Sequence, residues 1–195
     1  MKKLGYVLAC MFTFLYGHTV QAQMNDVTRR IVEVKKMVDI DSEQEARLAE
    51  LVRIYYATID SILLKVDDKI SASALIRDAK ETYNKQFQAL LSGKQMEEYI
   101  RVSAHDEITD KTAGKLNTLR ESGKYSEADL QQFSVQIFEY YMLEKVVYVR
   151  EKYNNEKLKE NISQLKKYEP QCLKSANALQ KAKQEGVVYQ GGYKW

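Results

Sequence analysis

The chain has 195 residues, enough for one domain with a substantial core, and carries 30 basic against 27 acidic side chains. Setting aside Lys2 and Lys3, which fall in an expected leader, leaves 28 against 27 with the signs interspersed; duplex binding calls for a clustered basic face, so nucleic acid is not the expected partner. Outside that leader one histidine, His105, and one cysteine, Cys172, remain, too few for most metal- and thiol-based enzymes.

Residues 1–22 read as a signal peptide: Lys2 and Lys3 give a positive start, Leu4 to Tyr16 is an apolar run, and Val20-Gln21-Ala22 places small residues at a cleavage site after Ala22. Apolar residues continue past Cys10 (Met11, Phe12, Phe14, Leu15), which places this cysteine inside the apolar run rather than at a lipid acceptor site. The expected location is the periplasm, with secretion as the alternative. No later stretch of about 18 uncharged apolar residues follows, so no transmembrane segment is predicted. The reading divides the chain into leader 1–22, a single helical domain 23–185, and a Gly/aromatic tail 186–195, "GVVYQGGYKW".

The domain contains one proline, Pro170, and is rich in Glu, Lys, Gln, Ala and Leu, an all-α composition. Val27, Ile31, Val34 and Val38 predict a short amphipathic helix. Leu48, Leu51, Val52, Tyr55, Ile59, Ile62, Leu63 and Val66 recur at three- and four-residue steps, and Leu75, Ala79, Tyr83, Phe87 and Leu90 make a second stripe. With a turn between Asp67 and Ser73, the two stripes predict an antiparallel hairpin over 42–91. A long helix from Ser92 to Ser122 follows, with a bend expected at Thr109 to Gly114 and Gly123 as its stop. A helix from Ser126 to Asn154 comes next. The last helix starts near Asn155 and is kinked or split by Pro170. The fold class is therefore all-α with five to six helices, a hairpin plus further long helices, in an extended or dimeric bundle.

Three helix starts carry capping boxes. Ser92 and Gln95 can exchange side-chain and backbone hydrogen bonds, with Leu91 placed to staple onto Met96; Asp41 and Gln44 repeat the pattern after Ile40, with Ser42 and Glu45 as a competing register. Ser126 and Asp129 form the third, with Tyr125 opposite Leu130.

The first two boxes have Leu-Thr-x-x-Gln-like form and open successive helical segments of a Pro-poor, exported chain. On Ile40, Asp41, Gln44, Leu91, Ser92 and Gln95, across roughly residues 38–105, the sequence resembles the Spy and CpxP family of periplasmic proteins. It departs from that pattern in having Asp or Ser at the cap, Ile for Leu in the first box, and a long extension after the second. The resemblance implies an ATP-independent chaperone or envelope stress-response protein that binds partly unfolded proteins on a dimeric helical cradle. The alternative is an adaptor module docking one envelope partner.

Residues 137–149, "IFEYYMLEKVVYV", are apolar nearly all round, which reads as a central helix or as a helix sharing a second face with a partner. Ile137, Phe138, Tyr141, Val147 and Tyr148 are the candidate protein-binding or dimer surface. Tyr55, Tyr83, Tyr99 and Tyr141 fall on apolar stripes as core or rim residues. Cys172 is either buried or available to cross-link a homodimer; its place just after Pro170, at a new helix start, would lower its thiol pKa. No catalytic, cofactor or metal residue is predicted: His105 lacks a second histidine, and no nucleophile elbow, phosphate loop or H-E-x-x-H motif is present.

Overall fold

The computed structural model describes residues 26–184, and of Lys183 the backbone only. The expected leader 1–22 and tail 186–195 lie outside the described residues. Among those described the chain is all-helical: α1 (26–37), α2 (Ser42–Lys65), α3 (Lys69–Leu90), α4 (Gly93–Ser103), α5 (His105–Glu121), α6 (Glu127–Arg150), α7 (Asn155–Lys166) and α8 (Gln171–Gln184). These eight exceed the five to six expected because two predicted helices are each divided. The stretch 92–122 breaks at Ala104 rather than at Thr109–Gly114. There the backbone ladder continues, with Ala104 N–H donating to the Ile100 carbonyl at 2.9 Å and Ile108 N–H to that of Ala104 at 3.0 Å. The break is therefore a kink. Ser103 Oγ also donates to the Ile100 carbonyl at 3.3 Å, and such competition with the ladder bends helices. The second division is the one Pro170 imposes: α7 stops at Lys166, and the Pro170 carbonyl accepts from Leu173 and Lys174 to open α8.

The chain packs as two compact units that divide between Tyr99 and Ile100, inside α4. In the first, α2 and α3 pack as the predicted hairpin. The turn is tighter than Asp67–Ser73: Asp68 Oδ2 accepts from Ser71 N–H at 2.8 Å and starts α3 at Lys69. Leu48, Val52, Ala72 and Phe87 are buried in this unit, along with Val27, Val34 and Val38 on and just after α1. An aromatic ladder runs through it from Tyr55 to Tyr83 (centroids 5.0 Å), on to Phe87 (6.2 Å) and Tyr99 (5.1 Å).

In the second unit α6 packs against α5, α7 and α8, and α5 against α8. Ile108, Leu119, Leu130, Ile137, Met142, Leu173 and Ala176 form its core. The capping box at Ser126–Asp129 is present, and Gly123 (φ +66°) terminates the preceding turn as predicted. The apolar run 137–149 is helical throughout, and its all-round hydrophobicity reflects the three helices packed about α6.

Candidate functional site

The two family-like boxes meet. Gln44 first does what a capping residue does: its Oε1 accepts from Asp41 N–H at 3.2 Å, while Asp41 Oδ1 accepts from Gln44 N–H at 2.8 Å. Gln95 repeats this with Ser92, at 2.9 Å and 3.2 Å. Their amide nitrogens then cross between the boxes. Gln44 Nε2 donates to the Leu90 carbonyl at 2.9 Å, and Gln95 Nε2 donates to the Asp39 carbonyl at 2.7 Å. Each carbonyl lies two residues before the other box's cap, so the arrangement is reciprocal. Finally, each Nε2 donates to the other glutamine's Oε1 at 2.9 Å.

A primary amide has two N–H donors and two acceptor lone pairs. Both glutamines use all four. Ile40, Leu91 and Met96 beside them are buried, and the half-buried amides are thereby shielded in part from water, which raises the cost of leaving any of these groups unpaired. Sequence reasoning found the six residues Ile40, Asp41, Gln44, Leu91, Ser92 and Gln95 but read each box as closing on itself. The pairing across 51 residues is a property of the tertiary fold.

A second cluster in the same unit was missed in the sequence. Arg30 of α1 donates through Nε to Tyr83 Oη and through Nη2 to Tyr99 Oη, both at 3.1 Å. Its guanidinium carbon lies 5.2 Å from the Phe87 ring centroid and 5.9 Å from that of Tyr99. One cation thus ties α1 to α3 and α4 by hydrogen bonds and by ring faces. Burial raises the Tyr83 phenol above its ordinary pKa and outweighs the opposing pull of Arg30. The sequence signals were Tyr83, Phe87 and Tyr99 on apolar stripes and an arginine flanking the Val27, Ile31, Val34 stripe, with nothing to join them.

The candidate surface on α6 requires correction. Ile137 is 0% exposed and Tyr141 5%, so both belong to the core and cannot touch a partner while the unit is folded. Phe138 and Val147 are half-buried, and only Tyr148 is exposed. Lys111 Nζ lies 3.8 Å from the Tyr141 ring centroid and also pairs with Glu144 at 3.0 Å, covering the tyrosine. Burial, with help from Glu144 and Glu169, pushes the Tyr141 phenol up to about 12. Exposed aliphatics include Leu63, Leu64 and Ile70, which flank the hairpin turn, and Val135 and Leu143 on α6 itself.

Cys172 is buried, its sulfur 3.7 Å from Gln136 Oε1. The expectation of a lowered thiol pKa is overturned. Burial raises it, and the favourable amides at the start of α8 offset this only in part. An open-sided groove of about 380 Å³ lies between α5 and α6, lined by His105, Thr109, Ala113, Leu116, Val135 and Phe138 among others. His105 is its only titratable lining residue, and its ring meets Phe138 edge-on at 5.3 Å. Among the described residues no group of three or more His, Cys, Asp or Glu side chains is placed to hold a metal ion, and no helix is long and apolar enough to cross a membrane.

Comparison of the chain with family models, with curated proteins and with solved structures gives no match in any of the three.

Proposed function

We propose that the protein is an exported, periplasmic helical chaperone or envelope stress-response protein, similar in action to the Spy and CpxP family, that holds partly unfolded proteins without nucleotide. The observation that carries this reading is the interlocked pair of boxes. If the two Leu-Thr-x-x-Gln-like segments were unrelated helix starts, nothing would require both to end in glutamine, since glutamate serves a capping box equally well. The reciprocal amide pair gives glutamine a reason to stand at both Gln44 and Gln95, and it ties the start of α2 to the start of α4 as the base of a hairpin. The client surface in this reading is the exposed aliphatic set on that hairpin, Ile54, Leu63, Leu64, Ile70 and Leu75, rather than the buried part of α6. Dimerisation belongs to the proposal as an association of hairpin faces, and a Cys172 cross-link does not, because the thiol is buried.

The test is light scattering of a chemically denatured client diluted into buffer with and without the purified protein, no nucleotide added. Suppression of aggregation at near-stoichiometric ratio with two unrelated clients is expected; unchanged aggregation of both overturns the chaperone reading.

A second reading is favoured by one observation. Leu63, Leu64 and Ile70 are concentrated at one end of the hairpin, which suits an adaptor docking one folded envelope protein. Such an adaptor binds that partner stoichiometrically and leaves unrelated unfolded clients to aggregate.

A further inference from the structure

The near-balance of charge over the whole chain conceals a segregation within the second unit. Residues 100–149 carry six basic and eight acidic side chains, whereas 150–184 carry nine basic against four acidic. In the first stretch the charges answer one another: Arg101, Lys111, Arg120 and Lys145 pair with Glu139, Glu144, Glu127 and Glu107. Beyond it they do not. Arg150 and Lys152 stand at the α6–α7 connection, Lys166 and Lys167 at the α7–α8 connection, and all four are exposed. Among the described residues none of the four is paired with a carboxylate. Lys152 instead lies 5.4 Å from the Tyr153 ring centroid, and Lys167 Nζ donates to Gln164 Oε1 at 2.9 Å.

Each pair of bases has an exposed tyrosine next to it: Tyr148, 49% exposed, in the last turn of α6, and Tyr168, 78% exposed, directly after Lys167. Between the two clusters runs α7, which has no buried side chain and packs against α6. We infer that this basic edge of the second unit docks on the surface of an anionic phospholipid bilayer. The clusters stand at opposite ends of a helix ~18 Å long, too far apart to close on one phosphate group, so the partner is extended. Eight of the nine bases are lysines. Lysine acts as a hydrated point charge, whereas recognition of nucleic acid favours the planar fork of arginine. Diffuse positive charge suits headgroups that move laterally, and a tyrosine at each end suits the headgroup level, where a ring sits with its hydroxyl in water. Glu151, Glu156, Glu160 and Glu169 still leave an excess of five positive charges. The attraction acts within a Debye length, ~8 Å at physiological salt, so the exposed position of these bases is what lets them contribute. The inference is independent of the proposed function, which rests on the first unit.

The experiment is co-sedimentation of the purified protein with vesicles of phosphatidylcholine alone, and of phosphatidylcholine and phosphatidylglycerol in equal parts. Binding to the second and not to the first is expected, and it should fall steeply as salt rises above ~0.15 M. Lys166→Gln/Lys167→Gln should weaken binding about 20-fold, at roughly fivefold per base. Adding Arg150→Gln/Lys152→Gln should abolish it. Lys36→Gln/Lys80→Gln removes the same charge from exposed positions in the first unit and should leave binding unchanged. Circular dichroism of each variant confirms that the helices persist. Absence of binding to the anionic vesicles overturns the inference, as does binding that survives the fourfold variant. Equal binding to both lipid compositions overturns it too, since it assigns attachment to apolar contact. Retention on a duplex oligonucleotide at a salt concentration that releases the vesicles also overturns it, and assigns the face to nucleic acid.

Discussion

Gln44 and Gln95, 51 residues apart, face each other as a cyclic amide pair, each nitrogen donating to the other's oxygen at 2.9 Å. Each also retains its own cap and reaches the other box's backbone. Cap and interlock can therefore be separated experimentally. Gln44→Glu keeps an acceptor for Asp41 N–H but loses both donors, so it is expected to destabilise the protein almost as much as Gln44→Ala, by about 1–3 kcal/mol. Urea unfolding measures this. The Gln44→Ala/Gln95→Ala double variant should cost clearly less than the two single changes combined, because each single change already breaks the shared pair. Full additivity would mean that the boxes are independent caps.

Arg30→Met preserves the aliphatic stem while removing the donors to Tyr83 and Tyr99. A loss of about 1–2 kcal/mol is expected. Arg30→Lys should recover less than half of it, since an ammonium cannot present two fixed N–H vectors and a planar face at once. Thermal unfolding monitored at 222 nm, the usual helix wavelength, reads both variants.

Stability should fall at alkaline pH in part through Tyr141. Its phenol is raised to about 12 in the folded protein, first by burial and then by Glu144 and Glu169, against about 10 in the unfolded chain. Below pH ~10 both states hold the proton and the group is neutral to stability. Above it the unfolded state releases a proton that the folded state retains, so unfolding becomes easier as pH rises towards 12. Tyr140 is raised in the same direction, again chiefly by burial. Tyr141→Phe should flatten the decline of Tm between pH 9.5 and 11.5, roughly the window between those two values; an unchanged slope would assign the decline to other groups.

Cys172 should be inert in the native state. With the thiol buried and its pKa raised, reaction with a disulfide reagent is expected only as the second unit opens, and its rate should rise with urea in step with unfolding. Non-reducing electrophoresis of the native protein should show monomer. Rapid labelling without denaturant would contradict the burial.

Leu64→Glu and Ile70→Glu replace side chains that are 84% and 81% exposed. Their effect on stability should stay within about 0.5 kcal/mol. Under the proposed function the pair together should abolish most of the suppression of client aggregation, while Phe138→Ala should reduce it little. The reverse order would return the client surface to α6.

Much of the local structure was written in short-range pattern. The stripes of α2 and α3, the caps at Asp41, Ser92 and Ser126, the stop at Gly123 and the split at Pro170 all depend on residues within one or two turns of each other, and the sequence displays such neighbours directly. The kink at Ala104 was not legible, because the competing bond from Ser103 is one that many helical serines make without consequence. The apolar run 137–149 showed that more than one face is covered, but not which side chains. Deciding that Ile137 and Tyr141 are core while Tyr148 is exposed took the positions of α5, α7 and α8. The sequence by itself thus determined the all-α class and the six residues of the two boxes. Only the tertiary structure decided that Gln44 pairs with Gln95, that Arg30 meets Tyr83 and Tyr99, and that Cys172 is shielded, because each of these relationships joins segments far apart in the chain and arises only when their helices pack.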